Sequence, residues 1–325
     1  MKKILLILAI VSIVAIDACK EKHITEPATT TLNTDNYSSM ADFFSKNAMP
    51  MQTYTMDAAT GITFTTPQGT VVTIAANSFV DNNWNPITSG NVSIEFKDIY
   101  KKSDMLLNNM PTSYLNGQPM KSGGEFFIRV KQGNTLLKLS GASPIIVKQP
   151  LNGLALDTAM KAMNPVQDTV GTGGKISWYP TPVDTFGHPV DSLTYSLQNY
   201  VFKLYQLCSP LDSGTWTNCD HCFANYTQTS LTLHGTDDVN TYSTNVFITF
   251  KDVNTNVSIY GYTNNNFDYS YAPLTYRGTV VAWGIKDHKL YSSFTPITIG
   301  ANQTVNFTLT ETTTDKFKAA VTALD

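Results

Sequence analysis

Charge is scarce in this chain. Asp, Glu, Lys and Arg make up 14% of its 325 residues, and the net charge is -3. Arginine occurs only at Arg129 and Arg277. A nucleic-acid surface needs clustered Lys and Arg to meet phosphates, so that class of partner is excluded. Four cysteines and five isolated histidines leave little material for a thiol or imidazole centre. No Gly-x-Ser-x-Gly elbow, His-Glu-x-x-His, phosphate loop or dinucleotide fingerprint occurs, so no familiar catalytic motif can be read here. Carboxylates are scattered, and a pair that converges only in space would not show in sequence. Long apolar runs are also lacking. The longest, Ile4 to Ile16, is broken only by Ser12, and it is short of the ~20 residues a spanning helix needs.

What is present begins at the N-terminus. Lys2 and Lys3, the apolar run, then Ile16-Asp17-Ala18-Cys19 have the order of a secretory signal: basic start, short apolar stretch, small residue before a cut. A cysteine just after the small residue resembles a bacterial lipobox, with Asp17 standing where a small or apolar residue is usual. The resemblance implies that residues 1–18 are removed and that Cys19 becomes the acylated first residue. Two or more acyl chains give stable attachment without a spanning helix. Lys20-Glu21-Lys22 partly resembles the export signal of Bacteroidetes-type surface lipoproteins, which implies an outer-membrane, cell-surface address. Residues 19–40 are rich in Thr, Asn and Ser and read as a flexible tether.

Hydrophobic residues reach 42%, enough to fill real cores. Thr, Asn and Tyr replace charge on the solvated faces, a mixture that suits strands and Asn-rich turns. Ser39 to Lys46 predicts a short helix with Met40, Phe43 and Phe44 on one side. Thr70 to Ile74 is β-branched throughout, and Val92-Ser93-Ile94-Glu95-Phe96 alternates with period two. Ser103 is placed to cap a short helix ended by Pro111. Glu125 to Lys131, Thr135 to Leu139 and Ile145 to Lys148 continue the β pattern. Residues 151–194 carry Pro165, Pro180, Pro182 and Pro189 and the run Gly171-Thr172-Gly173-Gly174. They read as a connection holding one strand around Trp178. Strand patterns resume from Tyr200 and recur at short spacing to Leu309. The tail predicts a helix with Phe317, Ala320, Val321 and Leu324 on one face, capped by Thr314 or Asp315.

Gly69 to Phe79, Ser103 to Leu107 and Ser122-Gly123-Gly124-Glu125-Phe126 resemble the ZU5-like β-sandwich of Bacteroidetes-type surface proteins. Trp216-Thr217-Asn218-Cys219-Asp220 resembles a recurring stretch that opens a second β domain in them. The expected fold is therefore all-β: a ZU5-like sandwich at 41–150, the connection at 151–194, and an Ig-like or transthyretin-like sandwich at 195–325 ending in a short helix. In such families β-sandwiches serve binding or assembly, so the resemblance implies fold and location more than activity.

Cys219-Asp220-His221-Cys222 with Cys208 and His234 could make a Cys3His zinc site, but a second closely spaced pair is missing. An oxidising compartment favours a disulfide. Because Cys219 belongs to the stretch the resemblance covers, the expected bridge is Cys208–Cys222, with Cys219 reduced. Asp81 to Asn85 begins like a calcium loop, but Pro86 and Val92 stand where that loop needs glycine and glutamate, so a hairpin turn is expected. Tyr260, Tyr262, Tyr269, Tyr271 and Tyr276 surround Asn264-Asn265-Asn266. Tyrosine with asparagine on loops suits sugar or protein recognition; in strands the same residues are ordinary core. Three tripeptides beginning at Asp157, Asp168 and Asp191 resemble an O-glycosylation motif of exported Bacteroidetes proteins. The sequence thus leads to a non-enzymatic binding, adhesion or structural protein of the envelope, without metal or cofactor. The alternatives are an accessory glycan-binding lipoprotein of a polysaccharide-uptake system and a hydrolase with a carboxylate site.

Overall fold

The computed structural model describes residues 33–325, apart from 142, 168–175, 182–190, 208–214, 224, 238, 260 and 261. The signal peptide, Cys19, Cys208 and Tyr260 lie outside the described residues, as does most of the tether. The fold is all-β; the described residues form several antiparallel sheets, three short α-helices and one parallel strand pair.

Two sheets enclose the first core. One runs Gln52–Asp57, Asn91–Ile99, Met120–Gln132, Thr215–Cys222, Lys161–Gln167 and Ile176–Pro180 in spatial order. The other runs Ser192–Tyr195, Asn199–Leu204, Ile145–Pro150, Val71–Ile74 and Ile62–Thr65. Alternation decides the faces. Val92, Ile94 and Phe96 turn inward with Phe126, Ile128 and Val130 of the neighbouring strand, against Val72, Val147 and Phe202 opposite. On the outer face Glu95 receives Arg129 and Lys131 from that same neighbour. Asp81 accepts from the Asn83 and Asn85 amides and closes the hairpin between Phe79–Val80 and Pro86–Ile87. This is the turn expected there.

The chain is partitioned differently from the sequence reading. Residues 151–194 supply three strands instead of one, Lys161–Gln167, Ile176–Pro180 and Ser192–Tyr195. The strands Asn199–Leu204 and Thr215–Cys222, expected in the second domain, pair with Ile145–Pro150 and Met120–Gln132 of the first core. Period-two patterning shows that a segment is a strand; it carries no label for the sheet that segment joins.

The second core lies between the sheet Tyr262–Thr263, Asn266–Pro273, Gln228–Gly235, Gln303–Phe307 and the sheet Asn256–Ile259, Ser243–Phe250, Arg277–Lys286, Lys289–Thr298, Thr310–Glu311. The latter sheet is buried on both faces. Val246, Ile248, Val280 and Ala282 face the core, while Phe247, Val281 and Trp283 face helices. Those helices are α1 (Met40–Asn47), α2 (Lys102–Leu107) and α3 (Thr314–Thr322), which bring Phe43, Leu106 and Phe317. Double-sided burial explains the continuous apolar run at Val280–Trp283, where alternation is absent. Helix α1 forms with Ser39 as its cap and packs here, not on the first core to which 41–150 was assigned. Thr313, one residue before the expected cap, accepts from Lys316 and starts α3. Ser103 does not cap α2. It donates its amide and hydroxyl to the Asp325 side chain, because α3 ends beside the start of α2.

Candidate functional site

Of the five tyrosines, the three whose side chains are described, Tyr269, Tyr271 and Tyr276, are buried or half-buried. Tyr269 is 6% exposed and its hydroxyl donates to Gly117 O at 3.1 Å. This corrects the reading of Tyr269 as a surface ring: with Phe267 it lies on the inward face of its strand. Tyr271 is half-buried against the second core. Tyr276 is half-buried too, with ring centroids 5.4 Å from Phe223 and 6.1 Å from Phe250. Tyr260 and the Tyr262 side chain lie outside the described residues. Of the expected Cys208–Cys222 bridge, only Cys222 is described. It is half-buried and makes no disulfide with a described residue, while Cys219 is a thiol buried in the first core.

The structure instead presents a groove where the first core meets the second. It has a volume of about 630 Å³ and is lined by Pro67, Gln68, Tyr100, Lys101, Lys102, Asn152, Leu154, Lys251, Asp252, Val253, Asn254 and Asp325. A neighbouring hollow of about 610 Å³ shares Lys251 and Asp325 and adds Arg277 and Thr298. The walls are pinned by main-chain recognition. Asn254 Nδ2 donates to Tyr100 O at 2.9 Å and to Ser122 O at 3.1 Å. Asn256 Nδ2 donates to Lys102 O at 2.8 Å, and Thr255 Oγ1 to Met120 O at 2.8 Å. Lys102 is buried and donates to Phe250 O at 3.1 Å. Burial pulls its ammonium down from the ordinary range, and the Asp325 and Asp252 charges oppose that pull. Lys101, Asn152, Lys251 and Asp252 are exposed at the rim, where Asp252 receives two nitrogens of Arg277. Amides, carboxylates and ammonium groups around an open depression can meet a polar, polyhydroxylated or charged ligand. Sequence reading did not find these residues, because each is an ordinary solvated side chain until the fold assembles them.

Beside the groove, Asp104 titrates high. Burial, then the nearby Asp325 charge, raises it to about 6, against an opposing pull from Lys101. A raised folded-state value means a stabilising contribution that is complete below pH ~4 and lost as pH rises through 6. Asp104→Asn is therefore expected to match the parent at pH 4 and to exceed it by ~1 kcal/mol at pH 7.5, after discounting for partial exposure. Urea unfolding at both pH values checks this; a gain present equally at pH 4 would contradict it.

Compared with known proteins, the chain matches no family model, no curated protein and no solved structure.

Proposed function

We propose that this protein is a lipid-anchored, surface-exposed lipoprotein of a bacterial outer membrane, working as a non-enzymatic binding or adhesion module of the envelope. The two cores read as β-sandwiches, the first ZU5-like and the second Ig-like or transthyretin-like. The observation that carries the binding role is the groove between them, open to solvent and rimmed by Lys101, Asn152, Lys251 and Asp252. Acylation at Cys19 would hold the chain on the membrane and leave this groove free to meet a glycan or protein.

Three measurements test the reading. Cys19→Ser should abolish incorporation of labelled palmitate and block processing; equal labelling of mutant and parent would refute the anchor. Intact cells treated with protease should lose the protein if it faces outward. For the groove, the double change Lys101→Ala, Lys251→Ala should weaken cell or glycan binding about tenfold, the effect of ~1.4 kcal/mol. Both side chains are exposed, so the melting temperature should stay within about 1 °C of the parent. Binding unchanged by this pair would place recognition elsewhere.

A further inference from the structure

Two stretches noted in the sequence for their resemblance, Ser122–Phe126 and Trp216–Asp220, lie side by side. Glu125 pairs with Asn218 and Ser122 with Asp220, and the register shifts between Asn218 and Asp220. Such bulges re-aim side chains within a sheet. Phe126 and Ile128 fill the first core, so Glu125 points to the sheet's other face, where Ile99, Met120 and Trp178 pack.

There Glu125 is fully buried, and neither carboxylate oxygen has a hydrogen-bond partner among the described residues. Asp220 is fully buried as well. Its Oδ2 accepts from Asn218 Nδ2 at 2.7 Å, while Oδ1 has no partner among the described residues. Ser122 Oγ donates to Asn218 Oδ1 at 3.2 Å, which completes a small polar network. Among the described residues no basic side chain pairs with either acid.

An ionised carboxylate buried without a partner costs several kcal/mol. One proton shared between the two acids would still leave one negative charge and one Glu125 oxygen without a partner. A divalent cation held by both carboxylates would satisfy the three orphaned oxygens and cancel both charges. Carboxylate, amide and hydroxyl oxygens are the donors of hard cations. Magnesium keeps several waters and demands a near-ideal octahedron, whereas calcium accepts irregular oxygen sets and bidentate carboxylates.

We propose that Glu125 and Asp220, with oxygens of Asn218 and Ser122, form a structural calcium site beneath the Trp178 cluster. No third His, Cys, Asp or Glu converges with them among the described residues, so the amide, hydroxyl and main-chain oxygens complete the shell. This site is separate from the groove and stands or falls independently of it.

The test uses full-length protein in detergent, stripped with a chelator. Calcium at about a hundred times its dissociation constant should raise the melting temperature by about 5 °C, and magnesium should not. Elemental analysis should find one calcium per chain. Terbium, which replaces calcium, should luminesce when excited through tryptophan, since Trp178 and Trp216 lie on this face. Glu125→Gln and Asp220→Asn should each abolish the shift and the luminescence, while Asp252→Asn at the exposed rim should keep both. A parent that binds no calcium and melts identically with and without chelator overturns the proposal, even if the variants do not fold. A calcium shift that survives in both Glu125→Gln and Asp220→Asn overturns it equally.

Discussion

Trp283→Ala should lower stability by about 4 kcal/mol, the upper part of the range for removing a fully buried aromatic side chain. Trp283 is the hub of the helix-covered face. Its ring centroid lies 5.3 Å from Phe247, 5.5 Å from Phe317 and 6.3 Å from Phe44. Those three rings come from the sheet, α3 and α1, so deletion removes the surface on which both terminal helices dock. Rings at these distances add energy beyond their buried area. The melting temperature should fall by roughly 10 °C for a chain of this size. Trp283 Nε1 has no hydrogen-bond partner among the described residues, so Trp283→Phe loses volume without stranding a polar group and should cost only about 1–2 kcal/mol. Urea unfolding of both variants decides the matter. Equal losses would mean that size is not what matters at this position.

Gly61→Ala should be as damaging, for a reason that lies in the backbone. Gly61 has φ +73°, and a Cβ there would stand 2.4 Å from Ile74 O, 2.8 Å from Ala76 N and 2.9 Å from Ala75 C. All three are main-chain atoms, and Ile74 is paired with Ile62 in the sheet. No rotamer change can relieve the contact, so the hairpin must open or the strand must shift. Three or more kcal/mol is expected, the range for strain that the surroundings cannot absorb. Gly133→Ala provides the comparison. It also has positive φ but nothing within 4 Å of its Cβ, and it should cost only about 1 kcal/mol. If both variants unfold at the same urea concentration, the close approach at Gly61 is not limiting.

How far the sequence carried can be judged from particular segments. Val92 to Phe96 announced both strand and inner face, because one side of that strand meets solvent and the other the core. The helix at Phe317 was legible from its apolar spacing, although its cap proved to be Thr313. The turn at Asp81 was legible because an aspartate beside successive asparagines binds its own backbone. Each of these signals is local, set by side-chain period or by a residue's own hydrogen bonding.

What only the tertiary structure decided is pairing over long separations. The strands Lys161–Gln167, Ile176–Pro180, Asn199–Leu204 and Thr215–Cys222 read as connection and second domain, yet they join the sheets of the first core, because a strand's pattern does not encode its partner. Tyr269 carries the same pattern whether its face is buried or wet, and the fold buried it. Lys101 and Lys251 become one rim only when a turn of the second core reaches the first. Glu125 and Asp220 are unremarkable acids in the sequence, separated by the whole excursion through Thr215. The register between Met120–Gln132 and Thr215–Cys222 sets them on one buried face, and burial in a low-dielectric layer gives them their demand for a cation.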